Sequence, residues 1–147
     1  ITTLEVMRFR RNNFSGAFPA LATNASLQVF DIGQNRFVGD IPRGLCNAPN
    51  LREIRLDSNG FSGVLPSCLG NLQRVEILDA SENLLSDSIP HTLGSMTALR
   101  ELLLSGNQFS GAIPPTLATQ ATVSLAAEAG KSSQLQAVPN LQRLDLS

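Results

Sequence analysis

The sequence predicts an α/β solenoid, in which short strands stack coil on coil into one parallel sheet along a single domain. Three observations carry that prediction. Leu27, Leu51, Val75 and Leu99 stand 24 residues apart, and each opens the same phrase of the form LxxLxLxxNxFSGxIPxxL. At the start of the phrase apolar and polar residues alternate over only a few positions, so each strand is too short to bury its face alone. Asn, Gly and Pro then recur at fixed places, where the chain must turn.

Taken in order, the four regular copies are LQVFDIGQNRFVGDIPRGL, LREIRLDSNGFSGVLPSCL, VEILDASENLLSDSIPHTL and LRELLLSGNQFSGAIPPTL. A looser copy starts at Leu4 and a truncated one, LQRLDLS, at Leu141, which makes about six repeats over residues 1–147. Phe30 and Ile32, Ile54 and Leu56, and Leu102 and Leu104 are the inward residues of successive strands. Asn12, Asn35, Asn59, Asn83 and Asn107 fall at the strand ends, where an amide side chain can both donate to and accept from buried backbone groups. Phe14, Phe37, Phe61, Leu85 and Phe109 form an apolar spine. Six of the seven Phe are assigned to interior columns, and Phe18 is left open. Gly16, Gly39, Gly63 and Gly111 supply a tight turn, and Pro19, Pro42, Pro66, Pro90 and Pro114 fix the return path. In the fourth repeat Leu85 replaces Phe and Asp87 replaces Gly, so an altered turn is expected there.

These columns resemble the plant-specific subtype of leucine-rich repeat, found in ectodomains of receptor kinases, receptor-like proteins and polygalacturonase-inhibiting proteins. The resemblance covers residues 4 to about 117 and resumes at 141. It implies a right-handed superhelix with the parallel sheet on its concave face and a second layer, containing the GxIP segment, along one side. It also implies an extracellular or cell-surface protein that binds a protein or peptide partner without catalysis. The ligand is not implied, because the scaffold columns are common to the family.

Specificity is therefore sought in the outward positions. Their central column reads Arg8, Asp31, Arg55, Asp79 and Leu103, with Asp145 from the last copy. On strands about 4.8 Å apart this is a ladder of alternating charge, in which each Arg can be answered by the neighbouring Asp. Arg10, Arg11, Glu53, Asp57, Ser81, Glu82 and Glu101 flank it, making the first repeat basic and the fourth acidic. One reading has the charges neutralise one another at a solvated sheet; the other makes them a recognition strip for a polar partner. Arg8-Phe9-Arg10 resembles the RxR pair with which some peptide-hormone receptors of the family hold a ligand's terminal carboxylate. Asp31 is placed to occupy Arg8. The chain contains no Trp and no Tyr, so an interface would rest on its arginines.

Other residue chemistry is sparse. His91 is the only histidine and no carboxylate or thiol set surrounds it in the pattern, so neither a metal, a cofactor nor an enzyme is read. Cys46 and Cys68 lie in adjacent repeats, where a disulfide and a pair of small buried thiols both remain open. Asn13-Phe14-Ser15 and Asn24-Ala25-Ser26 are N-glycosylation sequons for a secreted chain.

With ten Arg and one Lys scattered among twelve acids, the net charge of −1 offers no basic stripe for nucleic acid. The uncharged stretch 113–127 is broken by prolines and polar residues and does not read as a membrane span. Ile1 opens on strand-like sequence and Ser147 stops within another, as in part of a longer array. Leu141 comes 42 residues after Leu99, which is 18 more than one period. That insertion, about 118–140, reads as a short helix over 122–129 followed by a polar loop. The functional expectation is an extracellular binding module that uses the concave face. The alternative is a structural part of a cell-surface or matrix complex, assembled solenoid to solenoid.

Overall fold

The computed structural model describes residues 4–21, 25–117 and 141–147. Three-residue strands begin each coil: β1 (Val6–Arg8), β3 (Val29–Asp31), β5 (Glu53–Arg55), β7 (Ile77–Asp79), β9 (Glu101–Leu103) and β11 (Arg143–Asp145). They form one parallel sheet in that order. The middle residues pair in register, Met7 with Phe30, Phe30 with Ile54, Ile54 with Leu78, Leu78 with Leu102 and Leu102 with Leu144. Inserted residues notwithstanding, β11 pairs directly with β9 in the same register as the other strands. The insertion and its expected helix lie outside the described residues.

A second parallel sheet runs alongside, in the order β10 (Gln108–Phe109), β8 (Leu84–Asp87), β6 (Gly60–Val64), β4 (Arg36–Asp40) and β2 (Ser15–Ala17). Among the described residues the return path carries four 3-10 turns, η1 (Arg43–Asn47), η2 (Ser67–Asn71), η3 (His91–Ser95) and η4 (Pro115–Leu117). The core lies between these layers. Strand residues such as Ile54 and Leu78 and turn residues such as Leu45, Leu69 and Leu93 are fully buried. Each contributes about 1.5–3 kcal/mol, and only because the next coil covers it.

Asparagine joins the coils. Asn59 Nδ2 donates to the carbonyls of Leu56 and Asp57 in its own loop and of Ile32 in the preceding coil, at 3.1, 3.2 and 3.1 Å. Its Oδ1 accepts from the Phe37 N–H at 3.0 Å. Asn35, Asn83 and Asn107 repeat this arrangement, so the carbonyls and amides at each strand end are satisfied across the coil boundary.

The aromatic spine is confirmed, with Phe14, Phe37 and Phe61 stacked at centroid spacings of 6.1 and 6.3 Å. Phe18, left open by the pattern, is interior, packed edge-on against Phe30 and Phe37 at 5.3 Å each. Two interior assignments change: Phe9 and Phe14 are 39% and 48% exposed, because they lie in the first described coil and have a neighbour on one side only.

The fourth turn is not altered in the way expected. Asp87 takes φ 68°, the left-handed conformation that Gly39, Gly63 and Gly111 adopt at 83°, 73° and 80°. An acidic side chain tolerates that region better than most, and Asp87 Oδ1 accepts from the Ser88 N–H at 2.9 Å. The visible consequence is that β8 ends one residue earlier than β4 and β6.

Cys46 and Cys68 form a disulfide with a Cα–Cα distance of 5.7 Å, which closes the question left open by their spacing. They occupy the positions held one coil later by Gly70 and Thr92, and two coils later by Gly94 and Thr116. At both of those pairs the glycine backbone lies so close to the threonine that an added Cβ would overlap it. The cystine replaces a close Gly–Thr contact between coils.

Candidate interaction face

The outward column of the first sheet is laid out as the alternation requires: Arg8 pairs in register with Asp31, Asp31 with Arg55, Arg55 with Asp79, Asp79 with Leu103 and Leu103 with Asp145. The ion pairs do not follow it. Arg10, not Arg8, takes the aspartates, and it reaches past the second coil to do so. Its two Nη atoms donate to Asp57 Oδ1 and Oδ2 at 2.7 and 2.8 Å, and Nη1 also lies 3.4 Å from Asp31 Oδ1. Between them is Gly33, the one glycine among Arg10, Gly33, Asp57, Ser81, Ser105 and Ser147, the outward positions two residues further along each coil. A Cβ there would overlap both Arg10 Nη1 and Asp57 Oδ1. The missing side chain opens the path for a fork that spans three coils.

Arg55 turns to Glu53 on its own strand and lies 3.8 Å from Asp79 on the next. Asp79 is held further by the Ser81 N–H and hydroxyl, at 3.1 and 2.6 Å. Asp145 accepts the same two bonds from Ser147, at 3.2 and 2.8 Å. Asp31, Asp57 and Asp79 are all buried to 7% exposure or less. The Asp57 hydrogen bond raises the Arg10 pKa above its ordinary value. For Arg55, burial opposes the charge, but the Glu53 hydrogen bond and the field of Glu53 and Asp79 outweigh it, and its pKa is also raised. The Asp145 carboxyl is lowered below its usual value, chiefly by the Ser147 hydroxyl and then by the Ser147 N–H.

Two expectations are corrected here. Arg8 and Arg10 are not a matched pair of forks: Arg10 is filled by Asp57, whereas Arg8 is exposed and makes no ion pair among the described residues. The acidity of the fourth repeat is also divided. Asp79 and Glu82 belong to the face, but Asp87 ends β8 on the second sheet. Glu76 stands on the flank between Arg52 and Arg100, at 3.4 and 3.6 Å. That flank ladder was legible in the period, since Arg52, Glu76 and Arg100 are 24 residues apart. The Arg10 latch had a fainter signal, Gly33 itself.

The remaining candidates are placed as follows. Arg11 donates from Nε to Gln34 Oε1 at 3.0 Å. Arg11, Gln34, Ser58 and Glu82 share a second left-handed column, at φ 53–58°, with Gly106 at 65°. Glu101 and Leu103 are half-buried on β9, beside Ile77 on β7. Asn13 is exposed in the turn before β2, and Asn24 lies outside the described residues. Among the described residues no three His, Cys, Asp or Glu side chains gather at metal-binding distance, and no helix is long and apolar enough to cross a membrane.

Stacked coils, an asparagine ladder across the first four coil boundaries and one polar sheet face together define a leucine-rich-repeat solenoid. The chain belongs to that family: leucine-rich-repeat models match residues 26–48 and 49–109, together more than half of its length. It is 42% identical over 71 residues to the brassinosteroid LRR receptor kinase BRL3 of Oryza sativa subsp. japonica, covering 46% of this chain and 6% of that protein. It is 35% identical over 74 residues to receptor-like protein 34 of Arabidopsis thaliana, covering 50% of this chain and 8% of that one. The chain thus spans under a tenth of either relative. Among solved structures, the Arabidopsis receptor kinase HAESA, in complex with the peptide hormone IDA and the co-receptor SERK1, aligns over 99% of this chain and 22% of that one, at 31% identity and TM-score 0.81. The ectodomain of GASSHO1/SCHENGEN3 from Arabidopsis thaliana, in complex with CASPARIAN STRIP INTEGRITY FACTOR 2, aligns over 99% and 15%, at 33% identity and TM-score 0.82.

Proposed function

We propose that the chain is an extracellular, non-catalytic binding module that recognises a peptide or protein across the strands of its first sheet. The observation that carries this reading is the division of labour on that sheet. Arg10 is engaged with Asp31 and Asp57, and Arg55 with Asp79, within the face itself. That leaves Arg8, Glu82 and Glu101 as charged contacts beside the partly exposed Val29, Ile77 and Leu103. A preorganised face of this kind loses little conformational entropy on binding, which offsets its lack of Trp and Tyr. The peptide-hormone complex of its structural neighbour HAESA supports a peptide as the partner class.

The test is comparative capture from extracellular fluid, with the recovered peptides and proteins identified by mass spectrometry. Arg8→Glu combined with Leu103→Asp alters the face without touching the latch. Arg43→Glu, an exposed residue on η1, is the control on another side of the coil. Partners lost with the first variant and kept with the second support the reading; equal recovery from both removes it.

A further inference from the structure

We propose that Asn13 is an N-glycosylation site whose glycan stands on the second-sheet flank and leaves the first sheet open. Asn13-Phe14-Ser15 has the acceptor sequence. Oligosaccharide is transferred as the chain enters the secretory route, so the demand on the folded structure is room for the product. Asn13 and Ser15 are both exposed, and their side chains make no hydrogen bond among the described residues. Their neighbour Asn12 is different, since its amide donates to the Phe9 and Arg10 carbonyls at 3.0 and 3.2 Å and belongs to the scaffold. Space beside the sequon follows from its column: Arg36 on β4 and Leu84 on β8 hold the same position in coils flanked on both sides, and both are exposed. The Cys46–Cys68 disulfide independently fits a chain that matures in an oxidising compartment, where this modification takes place.

The step is a substitution at carbon. Asn13 Nδ2 attacks C1 of the first N-acetylglucosamine of a lipid-diphosphate-linked oligosaccharide and forms the N-glycosidic bond. The C1–O bond to phosphate breaks, the lipid diphosphate leaves with the electron pair, and one amide proton is released. By repeat position the glycan shares a column with Arg36, Gly60, Leu84 and Gln108, whereas the candidate contacts follow Arg8 and Asp31. It therefore occupies the flank of the first coil without crossing the sheet.

The experiment is expression of the full chain through a eukaryotic secretory route, with translation into microsomal membranes in parallel in case little is secreted. Treatment with peptide:N-glycosidase in heavy-oxygen water, followed by fragmentation mass spectrometry, is expected to find residue 13 converted to labelled Asp. Asn13→Gln and Ser15→Ala are each expected to remove that label and the associated mass, and Ser15→Thr to keep them. Absence of label at residue 13 in both systems overturns the proposal, whether or not Asn24 is labelled. This inference shares the extracellular setting of the functional reading but not its outcome. Peptide capture by Asn13→Gln is expected to match the unmodified sequence within twofold, and a larger loss overturns the placement on the flank.

Discussion

Gly33 sets how far Arg10 reaches. Its φ is unremarkable, so what matters there is the space a hydrogen atom leaves for a guanidinium to lie across a coil. Gly33→Ala is expected to cost about 2 kcal/mol, between the values for exposed and buried ion pairs, and Arg10→Ala a similar amount. Because both changes break one contact, the double variant is expected to cost little more than either single in urea unfolding; strict additivity would show that the latch is not shared. At the other end of the sheet, Asp145 has a lowered pKa, so the ionised carboxylate favours the folded state. Its contribution is complete above the unfolded-state value and fades as the pH falls through the lower folded-state one. The titration midpoint of Asp145, followed by carboxyl NMR, is expected below that of an Asp in a short peptide and is expected to rise in Ser147→Ala. Sequence alone exposed the charge ladder because alternation fixes which side chains face outward. It did not expose the pairing, because a long Arg side chain chooses among several carboxylates by local clearance, which a period does not encode.

Elements in this fold are held by what happens between coils. A three-residue strand has almost no stability of its own, so each asparagine loop acts as a fastener and its loss is felt on both sides. Asn59→Ala removes acceptance from the Phe37 N–H and donation to three carbonyls. It is expected to destabilise by about 3 kcal/mol, a buried backbone group costing roughly 1–3 kcal/mol when orphaned. Asn12→Ala, in the exposed first coil with two carbonyl partners in its own loop, is expected to cost under about 1 kcal/mol. Equal losses at the two positions would contradict a fastening role. The strand, asparagine and proline columns were legible because stacking demands one residue type at one position in every coil. Asp87 misled for the complementary reason: a turn specifies a backbone conformation, and more than one residue type can adopt it. The left-handed column at Arg11, Gln34, Ser58 and Glu82 stayed hidden in the same way, with Gly106 its lone conspicuous member.

Across the whole molecule, stability is a sum over neighbouring coils, so a cross-link matters for the boundary it spans. The Cys46–Cys68 disulfide ties the second coil to the third with a sequence separation of 22. Closing a loop of that size in the unfolded chain is worth about 3 kcal/mol. At the same boundary position the later coils use Gly70 against Thr92 and Gly94 against Thr116, which supplies a replacement written in the protein's own pattern. Cys46→Gly with Cys68→Thr is expected to lose the contribution of the cross-link yet keep the close approach of the coils. Cys46→Ser with Cys68→Ser loses the cross-link and also sets two side chains where the other coils hold a glycine against a threonine. Measured by guanidinium unfolding, the Gly–Thr variant is therefore expected to be more stable than the Ser–Ser variant by about 1 kcal/mol, the scale of a modest overpacking penalty. Both are expected to be indifferent to reductant, whereas the disulfide-bonded chain moves toward them when reduced. If the Ser–Ser variant proves the more stable, the equivalence of the cystine with the Gly–Thr contacts is wrong, and the coil boundary there is packed on a different principle from its neighbours.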